Sequence, residues 1–207
     1  MFQHFIWDFD GTLFNSYPHM ARAFQMALRD FSIEESCEDI LKQMKISVTT
    51  ALNFYKEKYG IGDELGERYS KYERERDKSL MVPYPNAAEV CRKICERGGF
   101  NYLYSHRDRA ARDYLRQFDM EKYFRDFITS DDQFPSKPAP DAILYLVDKY
   151  DMDKKTVLMI GDRDIDILAG HNAGVEGCLF DPDSYYPELE VKYRVRSMEE
   201  FEKLFLL

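Results

Sequence analysis

The opening residues 2–9 read as a short buried strand, with the apolar run Phe5-Ile6-Trp7 at its centre. That is the pattern of a strand covered on both faces, and it runs into Asp8-Phe9-Asp10-Gly11-Thr12, where Gly11 marks a turn. From Tyr17 to Leu80 the rhythm changes. Met20, Phe24, Ala27, Leu28 and Phe31 recur at steps of three and four, the spacing of an amphipathic helix. Ser36 with Asp39 resembles a capping box ahead of Ile40, Leu41 and Met44, and Ser47 can cap a further helix carrying Ala51, Leu52, Tyr55 and Tyr59. A last helix is expected over residues 63–80, with the alternating charges of Glu73-Arg74-Glu75-Arg76-Asp77-Lys78 on its solvated face.

Met81-Val82-Pro83-Tyr84-Pro85 punctuates the chain, and after it helices alternate with short apolar strands. Asn86 is placed to cap a helix that ends at Gly98-Gly99, followed by a strand over 100–104, a helix over 109–118 and a strand over 126–129. Pro140 can open a helix to Tyr150; a strand follows over 156–160, a helix over 164–173 stopped by Gly174, and a strand over 175–180. Repeated βα units predict an α/β fold with a parallel sheet. The economical division is an α/β core made of residues 1–14 and 83–207, with a helical insert, residues 15–82, as a candidate cap.

Composition narrows the partners. The 207 residues are 44% hydrophobic and 32% charged, a globular balance long enough to bury a core without staples. A net charge of −9 argues against nucleic acid, whose phosphates are met by Lys and Arg. No apolar stretch nears the roughly 18 residues of a membrane span, and Met1-Phe2-Gln3-His4 lacks the features of a signal peptide, so a cytoplasmic monomer or weak dimer is expected. Cys37, Cys91, Cys95 and Cys178 are too scattered for a disulfide framework. Cys91 and Cys95, four apart, read as two small core-facing residues rather than a metal clip, because no second Cys or His pair completes a zinc set.

Each chemically loaded segment falls at the carboxyl end of an expected strand: Asp8 and Asp10 after the first, Ser105 after 100–104, Asp162 after 156–160. Open parallel sheets bind ligands at that edge. Asp162 and Asp166 lie four apart, so a helix begun at Gly161 projects them on one side, and the turn at Gly11 can bring Asp8 and Asp10 to the same pocket. Carboxylates gathered this way repel one another unless a cation sits among them, and an all-oxygen set favours Mg²⁺. For a phosphate, the same pocket needs positive charge and donors. Lys137, in Ser136-Lys137-Pro138, is by itself a solvated loop lysine, but the surrounding acids give it a partner. Ser105 and the amide of His106 are read as opening a helix whose amino end favours anions. Arg107, Arg163 and Asp164 read as surface residues at helix starts.

With these segments in order, the sequence resembles the haloacid dehalogenase superfamily. Asp8-Phe9-Asp10-Gly11-Thr12 matches its first motif, Ser105 its second, Lys137 its third and Gly161-Asp162-Arg163-Asp164-Ile165-Asp166 its fourth. Residues 15–82 resemble the helical cap of the phosphoglycolate phosphatase and β-phosphoglucomutase branch. The resemblance implies a Rossmann-like core with helices on both faces of the sheet, and a phosphoric monoester hydrolase acting on a small phosphorylated metabolite. The second acid, Asp10, and the pair Asp162 and Asp166 set the chain apart from the metal-free dehalogenases of the family. Asp8 is then the nucleophile and Asp10 the acid and base. Asp8, the Asp10 carbonyl and Asp162 hold the metal, with Asp166 a ligand directly or through water. Lys137 bridges Asp8 and a phosphate oxygen, while Ser105 and the amides of Asp10 and His106 cradle the phosphate. A phosphosugar mutase, which returns the phosphoryl group to a sugar, shares all of these motifs, and a binding protein that retains the fold without turnover is the third reading. The segment Lys45-Ile46-Ser47-Val48-Thr49 is expected to be a turn between cap helices, with Lys45, Ser47 and Thr49 helping to select the substrate.

Overall fold

The computed structural model describes residues 1–75 and 81–207. The chain divides into two compact units, Met1–Phe14 with Pro83–Leu207, and Asn15–Val82.

In the first unit, β1 (His4–Trp7), β4 (Phe100–Tyr104), β5 (Phe124–Ile128), β6 (Val157–Gly161), β7 (Glu176–Phe180) and β8 (Tyr193–Val195) form one sheet in the order β5-β4-β1-β6-β7-β8. Every pairing in it is parallel. Helices α5 (Ala87–Glu96), α6 (Ala110–Gln117), α7 (Asp141–Lys149), α8 (Asp164–Ala173) and α9 (Met198–Phe205) connect and cover the strands. Because β1 and β6 are buried along their whole length, they read in sequence as largely apolar runs, with His4 the polar exception at the start of β1. Ile6, Tyr102, Tyr104, Met159, Ile143, Leu146 and Ala169 belong to one continuous cluster. Two polar side chains inside this unit satisfy each other: the Trp7 indole donates to Asn101 Oδ1 at 2.9 Å, and Asn101 Nδ2 donates to the carbonyls of Cys91 and Tyr123.

Register places the chemistry. Trp7 lies level with Leu103 on β4 and Ile160 on β6. The next residues, Asp8, Tyr104 and Gly161, therefore share one edge of the sheet, and Asp8 N donates to Ile160 O at 2.8 Å.

The second unit contains α1 (Tyr17–Arg29), α2 (Cys37–Ile46), α3 (Val48–Tyr59) and α4 (Glu64–Glu75). Its own core gathers Met20, Phe24, Leu28, Ile40, Met44, Ala51, Tyr55 and Leu65. Ser36 caps α2 by accepting from Asp39 N at 3.0 Å, and Ser47 caps α3 by accepting from Thr50 N at 2.9 Å. Where the chain passes between the units, β2 (Phe14–Asn15) and β3 (Val82–Pro83) pair as a two-stranded ribbon, and Tyr84 N donates to Leu13 O at 2.9 Å.

Several expectations need correction. The first strand is shorter than residues 2–9, and the strand expected over 126–129 begins at Phe124. Asn86 precedes α5 but makes no side-chain cap: its backbone is left-handed (φ 65°) and its amide turns to Glu199. The helix expected over 63–80 is described as Glu64–Glu75; residues 76–80, including Arg76, Asp77 and Lys78 of the charge run, lie outside the described residues. The pair β8 and α9, after Phe180, was not anticipated. The four cysteines are free thiols, but only Cys91 of the Cys91 and Cys95 pair is buried.

Candidate active site

Asp8 extends β1 by one residue, and Asp162 follows Gly161 at the end of the neighbouring β6. Asp166 enters from the first turn of α8. One carboxylate oxygen from each lies within 4.8 Å of the others, and all three residues are buried. The side chain of Asp166 comes this close because residue 161 is glycine: a Cβ there would stand 2.2 Å from Asp166 Cβ and Cγ. Asp162 and Asp166 are thus neighbours, though not as two residues of one helix. Asp162 precedes α8, whose amino end Asp166 caps by accepting from Arg163 N at 3.1 Å.

Lys137 closes the cluster. Its side chain is 0% exposed, and its Nζ lies 2.6 Å from Asp8 Oδ1 and 2.8 Å from Asp166 Oδ1. A loop lysine has become a buried counter-ion, because two desolvated carboxylates need a positive charge between them. Burial pushes the Asp8 carboxyl up to about 7, against the pull of Lys137 and with help from Asp166 and Asp162. Burial also works against the charge on Asp166, but Lys137 and Arg163 outweigh it and hold that carboxyl below its ordinary value. Burial would likewise strip Lys137 of its proton, yet Asp166 and Asp8 keep it firmly cationic.

Asp8 Oδ2 is buried and accepts no hydrogen bond among the described residues. A desolvated carboxylate oxygen beside two more carboxylates is a donor set suited to a small hard cation, so these residues fit Mg²⁺.

Ser105 follows β4, its amide donating to Ile128 O at 2.9 Å, and its hydroxyl oxygen accepts from Arg107 N at 3.0 Å. Neither it nor His106 opens a helix: α6 starts at Ala110, so the anion-favouring helix end expected here is absent. His106 instead braces the lysine loop, its Nε2 accepting from Lys137 N at 3.1 Å. That acceptor role requires a neutral ring, and loss of water together with the Lys137 and Arg163 cations lowers its pKa to about 4.

Asp10 sits in a tight turn built by Phe14 N donating to Phe9 O (3.0 Å), Gly11 N donating to Phe14 O (2.8 Å) and Gly11 at φ 81°. Its carboxylate is held by Arg107, with Nη2 to Oδ1 at 2.8 Å and Nε to Oδ2 at 3.1 Å. Arg107 is therefore no surface residue: its side chain is 11% exposed. The available signal was a cation two residues after the hydroxyl of Ser105.

A second set of residues went unread in the sequence. Asp181, directly after β7, is buried; it accepts from Tyr185 N (2.8 Å), Tyr186 N (3.3 Å) and Arg194 Nη1 (2.7 Å). Arg194 Nη2 in turn donates to the carbonyls of Tyr186 and Leu189. Since Gly161 pairs with Leu179, this clamped loop starts beside Asp162 on the same sheet edge. Burial and the nearby Asp162 and Asp164 carboxylates raise the pKa of Tyr186.

In the helical unit, residues 45–49 are not a turn. Lys45 lies in the last turn of α2 and is buried with its Nζ 3.9 Å from the centre of the Tyr17 ring, Ser47 alone joins the helices, and Thr49 is exposed on α3. The Ser47 hydroxyl is engaged by Thr50. Among the described residues no helix is long and apolar enough to cross a membrane.

The chain is similar to several known proteins. A phosphoglycolate phosphatase of Mannheimia succiniciproducens is 30% identical over 179 residues, spanning 81% of this chain and 80% of that protein. A hydrolase of Streptococcus pneumoniae TIGR4 superposes with a TM-score of 0.72 at 26% identity, covering 100% of this chain and 99% of that one. A protein of Haemophilus somnus 129PT, described as a predicted phosphoglycolate phosphatase, superposes with a TM-score of 0.84 at 20% identity, covering 98% and 97%. The profile of haloacid dehalogenase-like hydrolases matches residues 5–180, from the strand that delivers Asp8 to the last residue of β7. The chain belongs to the haloacid dehalogenase-like hydrolase family.

Proposed function

We propose that this chain is a Mg²⁺-dependent phosphatase that hydrolyses a small phosphorylated metabolite, phosphoglycolate or a sugar phosphate, through an aspartyl-phosphate on Asp8. The observation that carries the reading is the buried Lys137 ammonium shared between Asp8 and Asp166 beside a third carboxylate. An attacking carboxylate, a cation for the phosphoryl oxygens and donors for a hard ion thereby stand in one group. The name borne by the curated relative supports the substrate class.

Phosphoryl transfer asks a protein mainly for alignment and for charge placed where it develops. Asp8 attacks phosphorus as the ester P–O bond breaks. Asp10 protonates the departing oxygen and afterwards takes a proton from the water that hydrolyses the acyl phosphate. Lys137 holds Asp8 in line and neutralises a phosphoryl oxygen, while the Ser105 hydroxyl and the amides of Asp10 and His106 receive the others. Asp8, Asp162 and the Asp10 carbonyl, with Asp166 directly or through a water, would hold Mg²⁺, which when bound supplies positive charge to the phosphoryl group and keeps Asp8 ionised. Lys45 is the candidate for reading the rest of the substrate; Ser47 and Thr49 contribute through the start of α3.

The test is release of inorganic phosphate from phosphoglycolate, a panel of sugar phosphates and p-nitrophenyl phosphate. Release should require Mg²⁺, vanish in Asp8→Asn and largely vanish in Asp162→Ala, while Lys45→Ala should harm the metabolite reaction more than the aryl one. Turnover that survives excess chelator or Asp8→Asn refutes the reading, and conversion of a sugar phosphate without phosphate release points to mutase chemistry.

A further inference from the structure

The proposed general acid is not free in this structure. Both oxygens of Asp10 are bound by the Arg107 guanidinium, with Nε at 3.3 and 3.1 Å and Nη2 at 2.8 Å from Oδ1. The two side chains are 23% and 11% exposed, so the pair is only slightly hydrated. Arg107 belongs to the segment that carries the phosphate-cradle hydroxyl, its own amide donating to Ser105 Oγ at 3.0 Å. Its carbonyl is fixed by Ser130 N at 3.0 Å, which ties the backbone of this arginine to the loop after β5. A guanidinium fork matches carboxylate and phosphate equally well.

These facts conflict with the work assigned to Asp10. A carboxylate gripped on both oxygens cannot turn toward a leaving group without giving up that grip. An incoming phosphate, cradled by Ser105 two residues from Arg107, presents the same fork with a more highly charged partner. We propose that Arg107 is an anion-operated latch: it holds Asp10 at rest, and a phosphate bound at Ser105 and Lys137 takes the guanidinium and releases Asp10 to act. Arg107 is thus a positioning residue for Asp10 and a phosphate ligand in turn. No bond is made or broken in the exchange, one anion replacing another on the same cation. The inference rests on the phosphatase reading and deepens it, because binding of the correct group would itself unlock the acid.

The latch makes Asp10 and phosphate competitors for one cation, and competition is measurable as coupling. Binding of inorganic phosphate, with Mg²⁺ present, is to be measured by calorimetry in the wild-type chain, Asp10→Asn, Arg107→Met and the double variant. Removing the carboxylate should tighten phosphate while Arg107 is present, and should do so far less once Arg107 is gone, a difference of about fivefold or more within the range of directly coupled pairs. Arg107→Lys keeps the cation but loses the fork; it should retain part of the coupling, and it serves if Arg107→Met fails to fold. The same tightening in both backgrounds overturns the latch while leaving the phosphatase reading intact. A wild-type chain that neither binds phosphate nor releases it from esters overturns both.

Discussion

Glycine at position 161 is required by the side chain of Asp166, and Gly161→Ala measures how much. The added methyl would stand 2.2 Å from Asp166 Cβ and Cγ and 2.4 Å from Oδ2, where carbon contacts settle at about 3.5–4.0 Å. Asp166 has no slack, being 0% exposed and tied to Lys137 Nζ at 2.8 Å and to Arg163 N at 3.1 Å. It must retreat by about 1.5 Å, which takes the ion pair out of hydrogen-bond range. Overpacking alone costs about 1–3 kcal/mol, and full rupture of a buried pair about 3–5 kcal/mol. Even the lower ends of these ranges combine to about 4 kcal/mol, which corresponds to a fall in Tm of about 8–16 °C for a chain of this size. Because Lys137 is shared with Asp8, the displacement should also lower kcat/KM by about a hundredfold, the usual effect of moving a catalytic group by an ångström. Thermal unfolding and steady-state hydrolysis test both numbers. A variant melting within about 1 °C of wild type with unchanged kcat/KM would show that the tight approach at residue 161 constrains nothing.

Gly66, inside α4 with its nearest outside neighbour Leu52 Cδ1 at 3.8 Å, has room for a methyl; Gly66→Ala should raise stability by about 0.5 kcal/mol, read as a higher urea midpoint. The Glu35 carboxylate accepts from the Lys58 ammonium and the Tyr59 hydroxyl, which hold its pKa below the ordinary value. Such a group stabilises the fold above its unfolded pKa and ceases to do so as pH falls through its folded one, so Glu35→Gln should flatten the loss of Tm between about pH 5 and pH 3. Asp181→Ala should cost about 3 kcal/mol in denaturant unfolding, because it strands the Arg194 guanidinium and two backbone amides. An effect below about 0.5 kcal/mol, the level of an ordinary surface change, would mean that the loop is not held by this carboxylate.

The strands that deliver Asp8 and Asp162 are legible in the sequence because they are buried on both faces, which leaves the apolar runs Phe5-Ile6-Trp7 and Val157-Leu158-Met159-Ile160 just ahead of acids. Helix α8 is legible from Asp164 to Gly174 because a left-handed glycine stops it. What is not legible depends on distant partners. Lys137 carries no local sign of burial; its environment is made by Asp8 and Asp166, far away in sequence. Arg107 reads as a helix-start residue until the turn at Gly11 swings Asp10 toward it. Asn86 has the residue type of a helix cap, but its left-handed backbone hands the amide to Glu199 on the last helix. The edge strand Tyr193–Val195 is three residues long with an arginine at its middle, too short for a period to show, and its place is set by pairing with β7.

The ribbon at Phe14–Asn15 and Val82–Pro83, with the hydrogen bond from Tyr84 to Leu13, brings the two ends of a 15–82 insertion together in space. For the sheet-bearing unit, what lies between those ends is topologically equivalent to a tight hairpin, since the entropy of closing the loop has already been met by the pairing. Insertions whose termini adjoin can be lengthened, shortened or exchanged with little consequence for the host. The stretch between residues 14 and 83 can therefore change in length without asking the sheet-bearing unit to close a longer loop.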